Sequence, residues 1–420
     1  MTDPSADSMS QAFQSSSYRL SSIGLGSYSE YRDENLAFDL SSLGLVQYST
    51  SIVSDHSTFV FDEHQSHDQG LNSILEEICL AFKSLHENLQ LNDSSYTEPF
   101  DIEFARSVFT VKNARTFLSA YFTQTYAEFP LVHGPTFAIH TAPKSLLLAL
   151  MLSGALRSPP QDDTFAIRGF FYISEEYIFG HLKATLQERG PLEITNDLLQ
   201  ALVATQQMMI VQSMMNERRT RRRLLSQRLP ILVSVVRELG LARVRHPSGR
   251  PAGSWHEFIH RESCIRVGCW TALATWNVCL MLNMPGPLIT PSELTCNLQC
   301  APELWDAKDE EAFHVACDDL EFHHSLESAS PAYLVSTLMG EEWPGPTGAP
   351  FKHVPLSGLQ QSLMGEFAAR QNFSFAYDSL FLPSLDHDDY LSATHVSLVL
   401  FCPSSTPRHL AMARSLETGN

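Results

Sequence analysis

From about residue 99 the chain places apolar side chains at helical spacing, and few stretches alternate with the period of two that a strand needs. The pattern predicts helices over 113–125, 144–157, 163–187, 197–215 and 216–240. A short extended connector, FPLVH, lies at 129–133. Pro143 leads the second helix, and Asn196 or Thr195 is placed to cap the fourth. Pro230 should kink or restart the fifth, which Gly240 should end. Trp255 to Leu282 forms a long amphipathic helix, with Phe258, Ile265, Cys269, Ala272, Trp276 and Leu280 on one stripe. It stops before the proline-rich turn at 284–287. A polar helix follows at 308–325, then a loop at 343–350 and renewed helical character at 356–371.

The N-terminal quarter follows a different rule. Its first sixty positions hold 16 serines, and its first hundred carry 15 acidic residues against Arg19, Arg32 and Lys83. Such a segment buries too little apolar surface to offset its ordering entropy. Residues 1–98 are therefore expected to be a largely disordered acidic, Ser-rich tail, with a helical exception at 71–89 where Ile74, Ile78, Phe82 and Leu85 recur at helical spacing. The expected architecture is all-α: that tail, a multi-helix globular regulatory domain at 99–325, and a helical and loop extension at 326–420.

The chain has 420 residues and a net charge of −19, which favours solubility and repels a nucleic-acid backbone. Direct DNA contact is not expected from this balance. The eight cysteines are irregularly spaced, as befits reduced intracellular thiols. The first residues lack the basic and apolar regions of a signal peptide, and no apolar run is long enough to span a bilayer.

One segment offers catalytic chemistry. HEFIH at 256–260 has the spacing of zinc peptidases, in which two histidines one turn apart hold the metal and the glutamate activates water. His256, Glu257 and His260 would take those roles. No third ligand follows at the usual spacing, where Ser263 and Arg266 stand instead. The two histidines also point away from the apolar stripe of their helix. The expectation is no metal site, no cofactor and no enzyme.

The one basic run is Arg218, Arg219, Arg221, Arg222 and Arg223. It has the composition of a nuclear-import signal. Its blander reading is the solvated face of a helix whose apolar side holds Leu224, Leu225 and Leu229, and this reading is preferred.

Several motifs in order resemble the fungal-specific transcription factor domain, the middle homology region of fungal regulators. They are Tyr121-Phe122 with Phe129 to His133, the apolar Leu146–Leu156 with Gly154 and Ala155, and Arg237 to Leu241. They continue with Arg261-Glu262-Ser263, Arg266 and Trp270, then Pro285, Pro287, Leu298, Cys300, Leu304, Trp305 and Ala307. The resemblance covers about 105–320. It implies a nuclear regulator of RNA polymerase II transcription, of metabolic or secondary-metabolite genes, acting through protein partners of the transcription machinery or a related regulator. A homo-oligomer is compatible with it. Arg261, Glu262 and Arg266 would form a charged cluster that fixes helix packing. The family's zinc belongs to an N-terminal DNA-binding module, and with Cys79 the sole cysteine before Cys264 none is expected within this sequence. A non-DNA-binding co-regulator and a zinc peptidase are the competing readings.

Overall fold

The computed structural model describes residues 65–94, 96–126, 129–188, 194–215, 217–247, 254–281, 287–319 and 330–333. The regular elements among them are all helical, as the periodicity predicts. Twelve α-helices follow in order: α1 Gln65–Asn92, α2 Ile102–Val108, α3 Val111–Ala120, α4 Lys144–Arg157, α5 Asp162–Ala166, α6 Phe171–Glu188, α7 Asn196–Met214, α8 Arg218–Arg223, α9 Leu229–Glu238, α10 Trp255–Met281, α11 Pro302–Trp305 and α12 Glu310–Asp319. The expected tail at 1–64, the turns at 189–191 and 284–286, and the segments at 343–350 and 356–371 lie outside the described residues.

Helix α4 is the axis of the core. Every residue from Ser145 to Ala155 is buried, because its sequence is apolar or small on all sides. It packs on α3, α6 and α7. Gly154 sets the approach to α3: a Cβ there would stand 1.8 Å from the Phe117 carbonyl oxygen. Only a residue without a side chain permits that contact.

Helix α1 corrects the expected edge of the folded region. The helical exception at 71–89 begins at Gln65 and is part of the main core, with Leu71, Leu75, Ile78 and Phe82 buried against it. Its acidic residues face outward, where Glu76 pairs with Arg106 and Glu77 with Lys144. Residues 65–92 therefore belong with the helices beyond 99 rather than with a disordered tail.

Two helices widen into single π turns, at Tyr121–Thr125 and Leu224–Arg228. The second precedes Pro230. That residue has no N–H to donate back, and its ring excludes the carbonyl four residues earlier, so the expected interruption takes the form of a π turn. Helix α9 then ends at Gly240, whose φ of 67° is left-handed. Thr195 caps α7 by accepting the Leu198 N–H at 3.2 Å. The helix expected over 163–187 is instead α5, a 3-10 turn at Ile167–Phe170, and α6.

Helix α10 departs most from its sequence pattern. The apolar stripe is buried at Phe258, Ile265, Cys269, Ala272 and Trp276, yet Glu262 within its arc and Ser263, Arg266, Thr271 and Thr275 on other faces are buried too. Gln206 of α7 covers Thr271, and much of the rest lies under a non-helical cover. Segments 242–244 and 296–297 pair backbones through Cys296 N–H to Ala242 O and Asn297 N–H to Val244 O. They lie along the helix, and Gly268 meets Leu241 so closely that a Cβ would stand 2.9 Å from its oxygen. A smaller apolar cluster of Trp255, Phe258, Ile259, Leu304, Trp305 and Phe313 seals the helix start.

Candidate functional site

The polar residues in the first half of α10 hold irregular chain in place. Arg266 Nε donates to Glu262 Oε1 at 2.9 Å, one helical turn back. Its Nη1 donates to the Pro130 carbonyl at 2.9 Å, and its plane lies 4.1 Å from the centre of the Trp305 ring. Glu262 Oε1 also accepts the Cys300 N–H at 2.9 Å, and its Oε2 lies 3.0 Å from His246 Nε2. One carboxylate and one guanidinium thereby fasten the 129–133 connector, the 242–246 segment and the chain entering α11. Arg261 stands apart from the cluster expected of it: it is half-buried and donates to Glu257 at 2.7 Å.

Burial alone would raise the Glu262 carboxyl, but Arg266 and His246 outweigh it and hold it below the usual carboxylate range. Burial, the largest single influence, lowers the Arg266 guanidinium, but Glu262, Cys300 and Tyr126 together outweigh it and hold it above its ordinary value. His133, packed edge-on against Trp305 at 4.9 Å, is pushed down by burial to about 4. It is neutral at physiological pH.

The HEFIH residues do not converge. His256 is exposed, His260 is half-buried, and Glu257 is engaged by Arg261. Among the described residues no group of three or more His, Cys, Asp or Glu side chains is arranged to hold a metal ion. The zinc-peptidase reading loses its ligand set, because a metal needs a third donor beside two histidines one turn apart, and among the described residues none joins them. Among the described residues no helix is long and apolar enough to cross a membrane. The described cysteines, from Cys79 to Cys317, are buried and unbridged.

The arginine run divides. Arg218, Arg219 and Arg222 are exposed, while Arg221 and Arg223 are half-buried. Arg223 turns inward to the fully buried Glu175 of α6, with Nε to Oε1 at 2.8 Å and Nη2 to Oε2 at 2.7 Å. Arg228, at the end of the π turn, donates to the same Glu175 at 2.6 Å and also to Glu176. Gln212 of α7 completes the cluster by donating to Glu175 Oε2 at 2.8 Å. The guanidinium planes of Arg223 and Arg228 lie over Tyr172 and Phe179, each 4.6 Å from the ring centre. Part of the run is thus a buried clamp between α6, α7 and the π turn.

Beside that clamp, α7, the π turn with α9, and α10 enclose a cavity of about 110 Å³. Its walls are mainly apolar, from Met209, Ile210, Leu224, Leu225, Leu229 and Leu273, with Arg221 at the edge. Three lining residues carry a buried polar atom with no protein partner: Gln206 Oε1, Trp270 Nε1 and Asn277 Oδ1. Gln206 is itself only 5% exposed. Its amide nitrogen is committed to Val267 O at 2.7 Å and Thr271 Oγ1 at 2.6 Å, which fixes the carbonyl end.

The profile of the fungal specific transcription factor domain matches residues 118–368, more than half of the chain. The chain belongs to that family. A curated relative, Transcription factor verF of Penicillium polonicum, is 28% identical over 267 residues, which are 62% of this chain and 35% of that protein. The chain therefore spans little more than a third of that relative's length. No solved structure shows a significant match.

The family's domain is regulatory and non-catalytic. Trp270 is half-buried against Phe129, with ring centres 5.2 Å apart, and Cys300 and Trp305 are buried. Pro287 is half-buried, whereas Pro285 lies outside the described residues. The motif reading missed His246, Glu175, Arg228 and Gln206. A faint signal existed for two of them: Glu175 and Gln206 each interrupt an otherwise apolar face with a neighbouring residue of the same type.

Proposed function

We propose that this fungal transcription factor domain chain works in the nucleus and regulates RNA polymerase II transcription of metabolic or secondary-metabolite genes. It does so through protein contacts, with the transcription machinery, a related regulator or a second copy. The observation that carries the reading is the family match over 118–368, supported by a relative that is named a transcription factor. The exposed Arg218, Arg219 and Arg222 provide the basic face that an import receptor would take. Glu262, Arg266, Trp270, Cys300 and Trp305 serve as the scaffold of the domain, with Arg261 and Pro287 at its margin.

The test tethers the full chain to a heterologous DNA-binding domain at a reporter promoter, beside transcript profiling of a deletion strain. A several-fold change in reporter output, together with a coherent set of altered transcripts, is the expected result. An unchanged reporter and an unchanged transcript profile would overturn the reading.

A further inference from the structure

We propose that Cys269 and Cys296 form an oxidation site, where hydrogen peroxide joins the two thiols in a disulfide that staples the non-helical cover onto α10. The inference goes beyond the regulatory reading and stands or falls without it.

Proximity is the first argument. Cys269 Sγ of α10 and Cys296 Sγ of the cover lie 3.8 Å apart and share a hydrogen bond. Both side chains are buried, so packing on every side keeps the sulfurs in contact. A disulfide needs about 2.05 Å, which each sulfur reaches by moving less than about 1 Å. The described cysteines are unbridged, so the pair stands here in its reduced form.

Place is the second argument. The chain from 289 to 300 is tied to α10 at both ends. Trp276 Nε1 donates to Ile289 O at 2.7 Å, and the Cys300 N–H donates to Glu262 Oε1 at 2.9 Å. Cys296 lies between those ties, and its own N–H goes sideways to Ala242 O at 2.9 Å. A bond at Cys296 would therefore fasten the paired segments 242–244 and 296–297 to the helix beneath them. The two cysteines are 27 residues apart, and a cross-link over so long a loop strongly restricts the unfolded chain.

Reactivity is the third argument, and it makes the site conditional. The hydrogen bond to Cys296 and burial hold the Cys269 thiol well above its ordinary range. At rest that thiol is protonated and slow to oxidise. Oxidation awaits local opening of the cover, which lets water and peroxide reach the sulfurs. One thiolate attacks the O–O bond, becomes a sulfenic acid and releases the other oxygen as water. On reclosure the second thiolate attacks that sulfur, the S–S bond forms, and the sulfenic oxygen leaves as a second water. Two thiols and one peroxide thus give one disulfide and two waters. The disulfide then opposes the next opening, so oxidation latches the cover shut.

The experiment exposes the full chain to hydrogen peroxide, blocks the remaining thiols with N-ethylmaleimide in denaturant, and maps the peptides by mass spectrometry. The expected result is a linked Cys269–Cys296 peptide that forms several-fold faster in urea below the unfolding transition, where opening is more frequent. The unfolding midpoint should rise by about 5 °C and return on treatment with dithiothreitol. Cys296→Ala should lose both the linked peptide and the rise, whereas Cys79→Ala, on α1, should keep both. Absence of the linked peptide would overturn the proposal, as would linkage mainly between other cysteines or oxidation of Cys269 only to the sulfinic acid. A linked chain with an unchanged midpoint would overturn the latch, and a rate indifferent to urea would overturn its gating by the cover.

Discussion

Among the described residues the domain buries two ion clusters, and they hold different kinds of structure. At Glu262 and Arg266 both charges come from one helix, and they bond outward to non-helical chain, at the Pro130 carbonyl, the Cys300 N–H and the His246 imidazole. At Glu175 a single carboxylate receives Arg223 and Arg228 from the two sides of a π turn, so the bonds run between helices. The first cluster supplies order where no periodic hydrogen bonding exists. The second holds an irregular helical turn in place beside an open cavity. Charges can be buried without large loss only where bonds saturate them, and each cluster saturates a different defect of the helical pattern.

Removing the carboxylate of the second cluster should have the largest effect. Glu175→Leu strands Arg223 and leaves Arg228 with Glu176 alone, and breaking a buried pair from one side costs about 3–5 kcal/mol. Urea unfolding monitored by circular dichroism measures it, and a loss below about 1 kcal/mol would show that both arginines escape to water. Arg266→Met should cost about 3 kcal/mol, since it takes the guanidinium from the buried Glu262, which keeps His246 and the Cys300 N–H, and from the Pro130 carbonyl. Adding Glu262→Met should recover only part of that loss, because Cys300 N–H and Pro130 O still lack partners. Full recovery in the double variant would mean that the irregular backbone does not depend on the pair.

Acid should distinguish the clusters by sign. His133, beside Trp305 and the first cluster, has its folded value depressed to about 4 from 6.5. The unfolded chain therefore binds that proton first, and stability is lost as pH falls from about 6.5 to 4. The shift corresponds to about 3 kcal/mol at most. Glu262, also depressed, adds a loss that begins as pH falls through the usual carboxylate range, where the unfolded chain takes up its proton, and is complete below its folded value. Glu176 in the second cluster behaves oppositely: burial raises it, against the pull of Arg228, so its share is present at low pH and fades as pH rises through its folded value. Unfolding free energies measured from pH 7 to 4 should fall, and His133→Gln should flatten the curve above pH 5. An unchanged slope in that variant would remove His133 as the cause.

The sequence made the helices legible because each depends on its own neighbours. The all-apolar Leu146–Leu152 run, the Thr195 cap and the Gly240 stop are local facts, and all appear as read. The family motifs also carried through to a matching domain. What stayed hidden depends on partners far along the chain. Helix α10 looked two-faced because nothing in its spacing discloses that 296–305 covers the polar side. The arginine run looked like one solvated face because Glu175 lies 48 residues before Arg223. Helix α1 was masked by the acidic composition around it, although its apolar spacing was visible. The cavity has no local signature at all, being the space left between three helices.

The smallest effects should come from the outer arginines, and they test how the run is divided. Arg218 and Arg222 are exposed, so replacing both with alanine should change stability by less than about 0.5 kcal/mol each. Arg223→Ala should cost about 2 kcal/mol, because it leaves Glu175 short of one of its two cations in a buried site. If the exposed arginines engage an import receptor, a fluorescently tagged Arg218→Ala, Arg222→Ala double variant should leave the nucleus while its unfolding curve stays that of the parent. Arg223→Ala should do the reverse, lowering the unfolding midpoint while the surviving protein stays nuclear. Equal loss of stability in the two variants would mean that the run is one structural unit and that Glu175 does not separate its inner half from its outer half.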